Sequence, residues 1–490
     1  MNPQTTSTTA FASPLANATL AAHRERIDVP SYDRDSLQPT IVHFGVGGFH
    51  RAHQAVYLDD LAARGVRDCG VIGVSMRSPG MRDALVPQDW LYTVAERGES
   101  GASARAVGVT RDILFAPDEP GAVVAALTDP RTTIVSLTIT GGAYASMPVP
   151  RTGPPADVFA LIVEALAQRR RAGLAPFTVL SCDNVPGNGE VARESTLRWA
   201  AARDFGLSRW IESEVAFPSS VVDRIVPKTT PDSRSFVRDR FGVDDRWPVI
   251  SEPYIQWIVE DDFSAGRPPL EEVGVQFVDD VSAYELMKKR LLNGGHCALG
   301  YIGLLAGYRR TDEAMADPLL RGYLLSLLDN EIAPLLDEVP EIDLGGYVRT
   351  LADRFANPGV GDQLSRLAER GSVKMPGYLL PSVEAGLMRG TPVELLSVAV
   401  AAWIRVLRGT GLDGRSIEIA DPLAMRLRNL ARVGGSNPRP VMGERSIFGD
   451  LAEHEGFVAA VERNLWLLER GGIASLLRPH VDPATPTAAR

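Results

Sequence analysis

Three side chains in the segment KKRLLNGGHCAL, Lys288, Asn293 and His296, are of the types that remove a proton from an alcohol and hold the oxygen left behind. On one helix at about 100° per residue, His296 lies roughly 80° and Asn293 roughly 140° around from Lys288, so all three share one broad face. Lysine serves as such a base once burial lowers its pKa toward neutrality. The same residues also read as a solvated helix face, because Lys288 is flanked by Lys289 and Arg290, and a single histidine there is commonly structural. Spacing alone leaves both readings open.

A second pattern lies far upstream. The run IVHFGVGGFHRAH sets Gly45, Gly47 and Gly48 between an apolar stretch, 41–44, and a helical pattern through Ala55, Leu58 and Leu61. Strand, glycine turn and helix in that order let backbone approach a pyrophosphate closely. The segment expected to face a dinucleotide is Gly45, Val46, Gly47, Gly48, Phe49, His50 and Arg51. Its pattern is GxGG, with His50 where a full GxGxxG has its last glycine, so a plain tight turn is an equal reading of the motif by itself. The carboxylate that normally holds the adenosine ribose of NAD is missing, since the next apolar run ends Val74-Ser75-Met76-Arg77-Ser78. NAD is the expected cofactor. Arg77 and Ser78 keep NADP open, a solvated strand-end charge being the other reading of Arg77.

These residues need a scaffold. Apolar runs at 41–44, 71–76, 133–140 and 177–181 alternate with helical patterns at 121–127 and 157–171, which predicts parallel strands in a doubly wound sheet. From about Ala283 helical stretches dominate, at 284–292, 319–336, 392–407 and 457–470, the first reading as a helix with a glycine break. The expected class is therefore α/β: a polar leader over 1–39, a Rossmann-type doubly wound domain over 40–280 and a mostly α-helical C-terminal domain over 281–490. The tail HVDPATPTAAR is expected to fray.

Composition narrows the function classes. Hydrophobic residues at 45% and charged residues at 23% fit a globular protein, and a net charge of -10 without a basic cluster argues against a nucleic-acid partner. The first residues, MNPQTTSTTAFASPLANATL, lack both a basic n-region and an apolar stretch long enough for a signal peptide or membrane span. The three cysteines, Cys69, Cys182 and Cys297, form no CxxC pair and fit a reducing compartment, so a cytoplasmic protein, monomeric or weakly oligomeric, is expected. The histidines show no HxxxH or HExxH spacing, so no metal is expected, and the GxSxG elbow of a serine hydrolase is missing.

Taken together, GVGGFHRAHQA, SLTIT, SCDNVPGNG, VDRIVP, EPYIQWIVED and KKRLLNGGHCAL resemble the polyol-specific long-chain dehydrogenases, the family of mannitol 2-dehydrogenase and fructuronate reductase. The resemblance runs from about residue 40 to about 478 and implies a metal-independent enzyme that interconverts a secondary alcohol and a ketose with NAD(H) or NADP(H). It implies Lys288, and not Lys289, as general base, Asn293 and Asn184 as oxyanion donors and His296 as the group orienting the reactive oxygen. Asp223, Arg366 and Lys374 fall where mannitol dehydrogenases bind the remaining hydroxyls. Asp223 beside Arg224 also reads as a structural ion pair, and Asn184 as a turn residue. Departures occur at Gly295, where the family commonly has serine, at TGGAY over 140–144, where it has a TEGGY-like segment, and in a short stretch between Tyr144 and Asp157. A linear polyol is the expected substrate, favoured by Arg366. A sugar acid such as fructuronate or tagaturonate, and a noncatalytic dinucleotide sensor, are the alternatives.

Overall fold

The computed structural model describes residues 12–148, 157–418 and 420–481. Two compact units divide the chain, one running to Val281 and the other beginning at Ser282.

In the first unit, β1 (Pro39–Phe44), β2 (Gly70–Ser75), β3 (Thr110–Phe115), β4 (Ile134–Leu137) and β5 (Thr178–Ser181) form one parallel sheet. Their order is β3-β2-β1-β4-β5. Successive residues of a strand point to opposite faces. Ile41 accordingly joins one core with Ile134, Leu180, Leu58 and Leu61, while Val42 and Phe44 join another with Val135, Leu137, Phe159 and Ile162. The helix Gln54–Ala63 covers the first face, and the helices Pro120–Thr128 and Val158–Arg171 cover the second. A strand buried on both sides has no polar alternation to display, which is why these strands read as unbroken apolar runs.

Three differences from the sequence expectation have physical causes. The strand expected over 133–140 stops at Leu137, because Thr138 to Thr140 turn away and Thr140 adopts a φ of +72°. Strand β3 carries Arg111 and Asp112, tolerated at the open edge of the sheet, and so hides from a search for apolar runs. Two small sheets were also unforeseen. The hairpin Tyr92–Gly98 with Gly101–Val107 is joined by Val249–Ser251, and Ser220–Asp223 pairs with Gln256–Glu260, flanked by Gln276–Val278.

The expected polar leader needs correction over 12–39. Ser13–Pro14 pairs with Val243–Asp244, Leu15, Ile27 and Leu37 are buried, and Arg34 donates to the carbonyls of Gly108 at 2.9 Å and Asp89 at 2.7 Å. Such anchors come one at a time through polar sequence and leave no period to detect. The first eleven residues, the 149–156 part of the short stretch after Tyr144, and the tail from 482 onward lie outside the described residues.

The second unit is helical around Glu394–Val406, in which every residue from Leu395 to Val406 is buried. Its first turn is capped from another element, since Glu331 accepts from the backbone N–H groups of Leu395 and Leu396, both at 2.8 Å. Burial pushes Glu331 up to about 7 despite those donors. Its folded value exceeds the unfolded one near 4.5, so its contribution to stability is full below about pH 4.5 and is lost as pH rises through about 7. Glu331→Gln is expected to flatten the decline of melting temperature across that window, and an unaltered decline would assign it to other groups. Cys69, Cys182 and Cys297 are free and buried. Among the described residues, no helix is long and apolar enough to cross a membrane, and no three His, Cys, Asp or Glu side chains gather to hold a metal ion.

Candidate active site

At the carboxyl end of β1 the chain turns through Gly45, whose φ is +97°. A Cβ there would stand 2.1 Å from the carbonyl oxygen of Thr138, so both conformation and contact demand glycine. The Gly45 N–H donates to Val74 O at 2.9 Å, and Gly45 O accepts from Gly47 N at 2.6 Å and from the Thr138 hydroxyl at 2.8 Å. The connections after β1 and β4 leave for opposite faces, so the turn sits at the switch point where open α/β sheets bind ligands. Gly45→Ala is expected to destabilise the unit by at least about 2 kcal/mol through strain and clash. A thermal melt within a degree or two of the parent would show that the turn relaxes.

Beneath the turn lies His43, fully buried in β1, with Nδ1 2.8 Å from Ser136 Oγ and Nε2 2.9 Å from Thr138 Oγ1. Burial pushes its pKa down to about 3, so the ring is neutral. The Thr138 proton is spent on Gly45 O, which assigns the His43 proton to Nε2 and makes Nδ1 the acceptor from Ser136. A one-way chain therefore runs from Ser136 through His43 and Thr138 to the Gly45 carbonyl. His50 stacks on His43 with ring centroids 3.4 Å apart. Arg51 is buried, its Nη1 donating to Trp247 O at 2.5 Å and its guanidinium 5.1 Å from the Tyr92 ring centre. Val46 packs on Gly73, and Phe49 stacks on His53 at 4.9 Å. Of the segment expected to face a dinucleotide, His50 and Arg51 can thus offer only backbone, their side chains having been recruited to hold the turn.

The SCDNVPGNG segment builds a second wall. Asn184 is exposed just beyond the carboxyl end of β5, and the neighbouring Asp183 is buried. Asp183 accepts from Ile139 N at 2.9 Å, Thr140 N at 2.7 Å and the Tyr144 hydroxyl at 2.7 Å, while burial raises its pKa. These bonds hold Thr140, a β-branched residue, in the left-handed region. Asn188 bridges the segment to the strand Ser220–Asp223, donating to Asp183 O at 3.0 Å and Ser220 O at 2.8 Å and accepting from Ser220 N at 2.9 Å. Asp223 is buried at the end of that strand, and Arg224, with a fully buried side chain, is ion-paired to Glu96. Asp183 has no part in the sequence expectation for this motif. Its signal was an acidic residue directly after a buried strand.

In the second unit the expected glycine break does not occur. The α-helix Ser282–Met287 passes into a π-helical turn, Lys288–Asn293, and continues as the α-helix Gly294–Leu305. Gly294 and Gly295 keep helical backbone and serve close packing, a Cβ on Gly294 lying 3.3 Å from Tyr378 O and one on Gly295 3.5 Å from Leu328 and Phe355 side chains. In a π turn the hydrogen bond runs from residue i+5 to i, as Gly294 N does to Lys289 O. Widening the turn brings residues five apart, such as Lys288 and Asn293, nearer in angle than the 140° of an α-helix. Lys289 is taken by Glu285 at 2.6 Å. The Asn293 Nδ2 is buried without a hydrogen-bond partner, and His296 packs on Phe355 with ring centres 4.4 Å apart.

Arg366 and Lys374 stand together. Arg366 is ion-paired to Asp362, with Nε donating to Oδ1 at 2.7 Å. Lys374 donates to Leu367 O at 3.0 Å and Arg366 O at 3.2 Å, and burial lowers its pKa. Each keeps N–H groups beyond those bonds.

Residues 39–272 match the family model described as the mannitol dehydrogenase Rossmann domain, and residues 280–468 match the mannitol dehydrogenase C-terminal domain. A mannitol 2-dehydrogenase of Aspergillus terreus is 40% identical, covering 94% of this chain and 97% of its own length. One of Pyricularia oryzae is 39% identical, over 95% and 98%. Among solved structures, a Pseudomonas fluorescens mannitol 2-dehydrogenase in ternary complex with NAD and D-mannitol superposes with a TM-score of 0.83, at 39% identity over 95% of this chain and 99% of the other. A substrate-free D-sorbitol dehydrogenase gives a TM-score of 0.88 at 32% identity, over 94% and 100%. Similar along nearly its whole length to such enzymes and matched in both halves, the chain belongs to the mannitol dehydrogenase family and is a polyol oxidoreductase acting on a secondary alcohol.

Proposed function

We propose that this enzyme interconverts a mannitol-like linear polyol and its ketose, with NAD(H) as hydride carrier in a reducing compartment such as the cytoplasm. The glycine turn, Gly45, Val46, Gly47, Gly48 and Phe49 with the backbone of His50 and Arg51, receives the dinucleotide. Lys288 takes the hydroxyl proton, Asn293 and Asn184 donate to the developing alkoxide, and His296 orients that oxygen while hydride passes to the nicotinamide. Asp223, Arg366 and Lys374 hold the remaining hydroxyls.

The observation that carries this reading is the π turn. It brings Lys288 and Asn293 nearer to one face, and the buried Asn293 Nδ2 has no protein partner, which supports a donor kept for something outside the chain. A noncatalytic sensor has no use for that arrangement, and a carboxylate substrate is not what the family comparison favours. The test is nicotinamide absorbance with mannitol, arabinitol, sorbitol and mannonate. Reduction of NAD with at least one polyol, at a kcat/KM exceeding that for mannonate, is the expected result. Silence with every polyol would overturn the proposal, and turnover of mannonate alone would move the enzyme to sugar acids.

A further inference from the structure

The adenosine end of the dinucleotide site carries a cation where such sites carry a carboxylate. This inference rests on the reading of the glycine turn as the dinucleotide site. In open α/β sheets the strand after the glycine turn ends beside the adenosine ribose, and an Asp or Glu there accepts from the two ribose hydroxyls. A 2′-phosphate repels that carboxylate and needs a cation in its place. Strand β2 ends at Ser75 and continues Met76-Arg77-Ser78-Pro79, with no acidic residue.

Three observations show that Arg77 is placed for an anion. Val74 O holds the Gly45 N–H at 2.9 Å, so the end of β2 lies directly beside the turn. Arg77 is exposed, and among the described residues it has no ion pair, its contact being Nη2 to Thr140 Oγ1 at 3.5 Å, the long limit of a hydrogen bond. The carboxylates of Asp83 and Glu119 are directed to another cation, Arg82, at 3.1 Å and 3.6 Å. Ser78 adds a donor: its Oγ accepts from Gly80 N at 3.1 Å, which leaves the hydroxyl proton to give.

We propose that Arg77 and Ser78 form a 2′-phosphate site, so that this enzyme accepts NADP(H) as well as NAD(H), Arg77 supplying the charge and Ser78 a hydrogen bond. A planar guanidinium can bind a phosphate dianion bidentately, which outcompetes a single long bond to a threonine.

The experiment is a fluorescence titration of the purified chain with NADH and with NADPH, repeated on Arg77→Ala and Arg77→Asp, alongside kcat/KM for both oxidised coenzymes on the polyol panel. The parent is expected to bind NADPH within about tenfold of NADH. Arg77→Ala is expected to weaken NADPH at least about tenfold more than NADH, as loss of charged hydrogen bonds predicts. Arg77→Asp, which restores an acceptor for the ribose hydroxyls, should widen that gap further. A parent that binds NADH but not NADPH overturns the proposal, as does an Arg77→Ala variant that weakens both equally, which would place Arg77 on the pyrophosphate. If neither coenzyme binds the parent, the turn is not a dinucleotide site, and the underlying reading falls too. Because Arg77 is exposed, an unchanged melting temperature checks that the variants fold.

Discussion

Lys288→Ala lowers kcat for polyol oxidation by about 10²–10⁴, the usual worth of a positioned general base, while NADH still binds. The proton of a secondary alcohol must leave before or with the hydride, and only the neutral amine accepts it. A small primary amine added to the buffer is expected to restore part of the rate. Lys289→Ala is the matched control, since Lys289 is committed to Glu285 in a partly exposed pair of small worth. Steady-state absorbance across pH decides the matter. A Lys288→Ala enzyme with parental rate and pH profile would remove Lys288 from the chemistry.

The second large effect is Asn293→Ala, with a loss of about 10²–10³ in kcat, as when one oxyanion donor is deleted elsewhere. Here the structure adds an unusual expectation about stability. Removing a buried polar group normally costs because its partner is stranded, but the Asn293 Nδ2 has no partner in the protein. The variant is therefore expected to melt at or slightly above the parental temperature while losing most of its rate. Its pH profile should keep the parental shape, because the base is still present. An active Asn293→Ala enzyme, or one that is inactive because it unfolds, would refute the donor role.

How much of this was legible beforehand depends on the range of the interactions involved. Gly45 announced itself because a strand, a tight turn and a helix are local events, and the left-handed φ that requires glycine belongs to one residue. Strands β1, β2, β4 and β5 showed as apolar runs because both their faces are buried. Edge strand β3 was hidden by Arg111 and Asp112, while Val249–Ser251 joins the hairpin of Tyr92–Gly98 and Gly101–Val107, and Ser220–Asp223 joins Gln256–Glu260, from far along the chain. The same limit hid the roles of His50 and Arg51. Their position in the motif suggested contact with a dinucleotide, yet the interior drew both side chains in, one onto His43 and one onto Trp247 O.

For Lys288, Asn293 and His296, residue type and spacing named the candidates, and the resemblance to a family assigned their roles. Neither could show that the helix widens by one residue between Lys288 and Asn293. A π turn is adopted when packing repays its poorer local geometry. Directly after it, Tyr378, Leu328 and Phe355 from other parts of the unit close on Gly294 and Gly295. The sequence alone named the candidate groups for the proposed chemistry. Only the tertiary structure showed the π turn that carries Lys288 and Asn293, and a buried Asn293 Nδ2 without a protein partner.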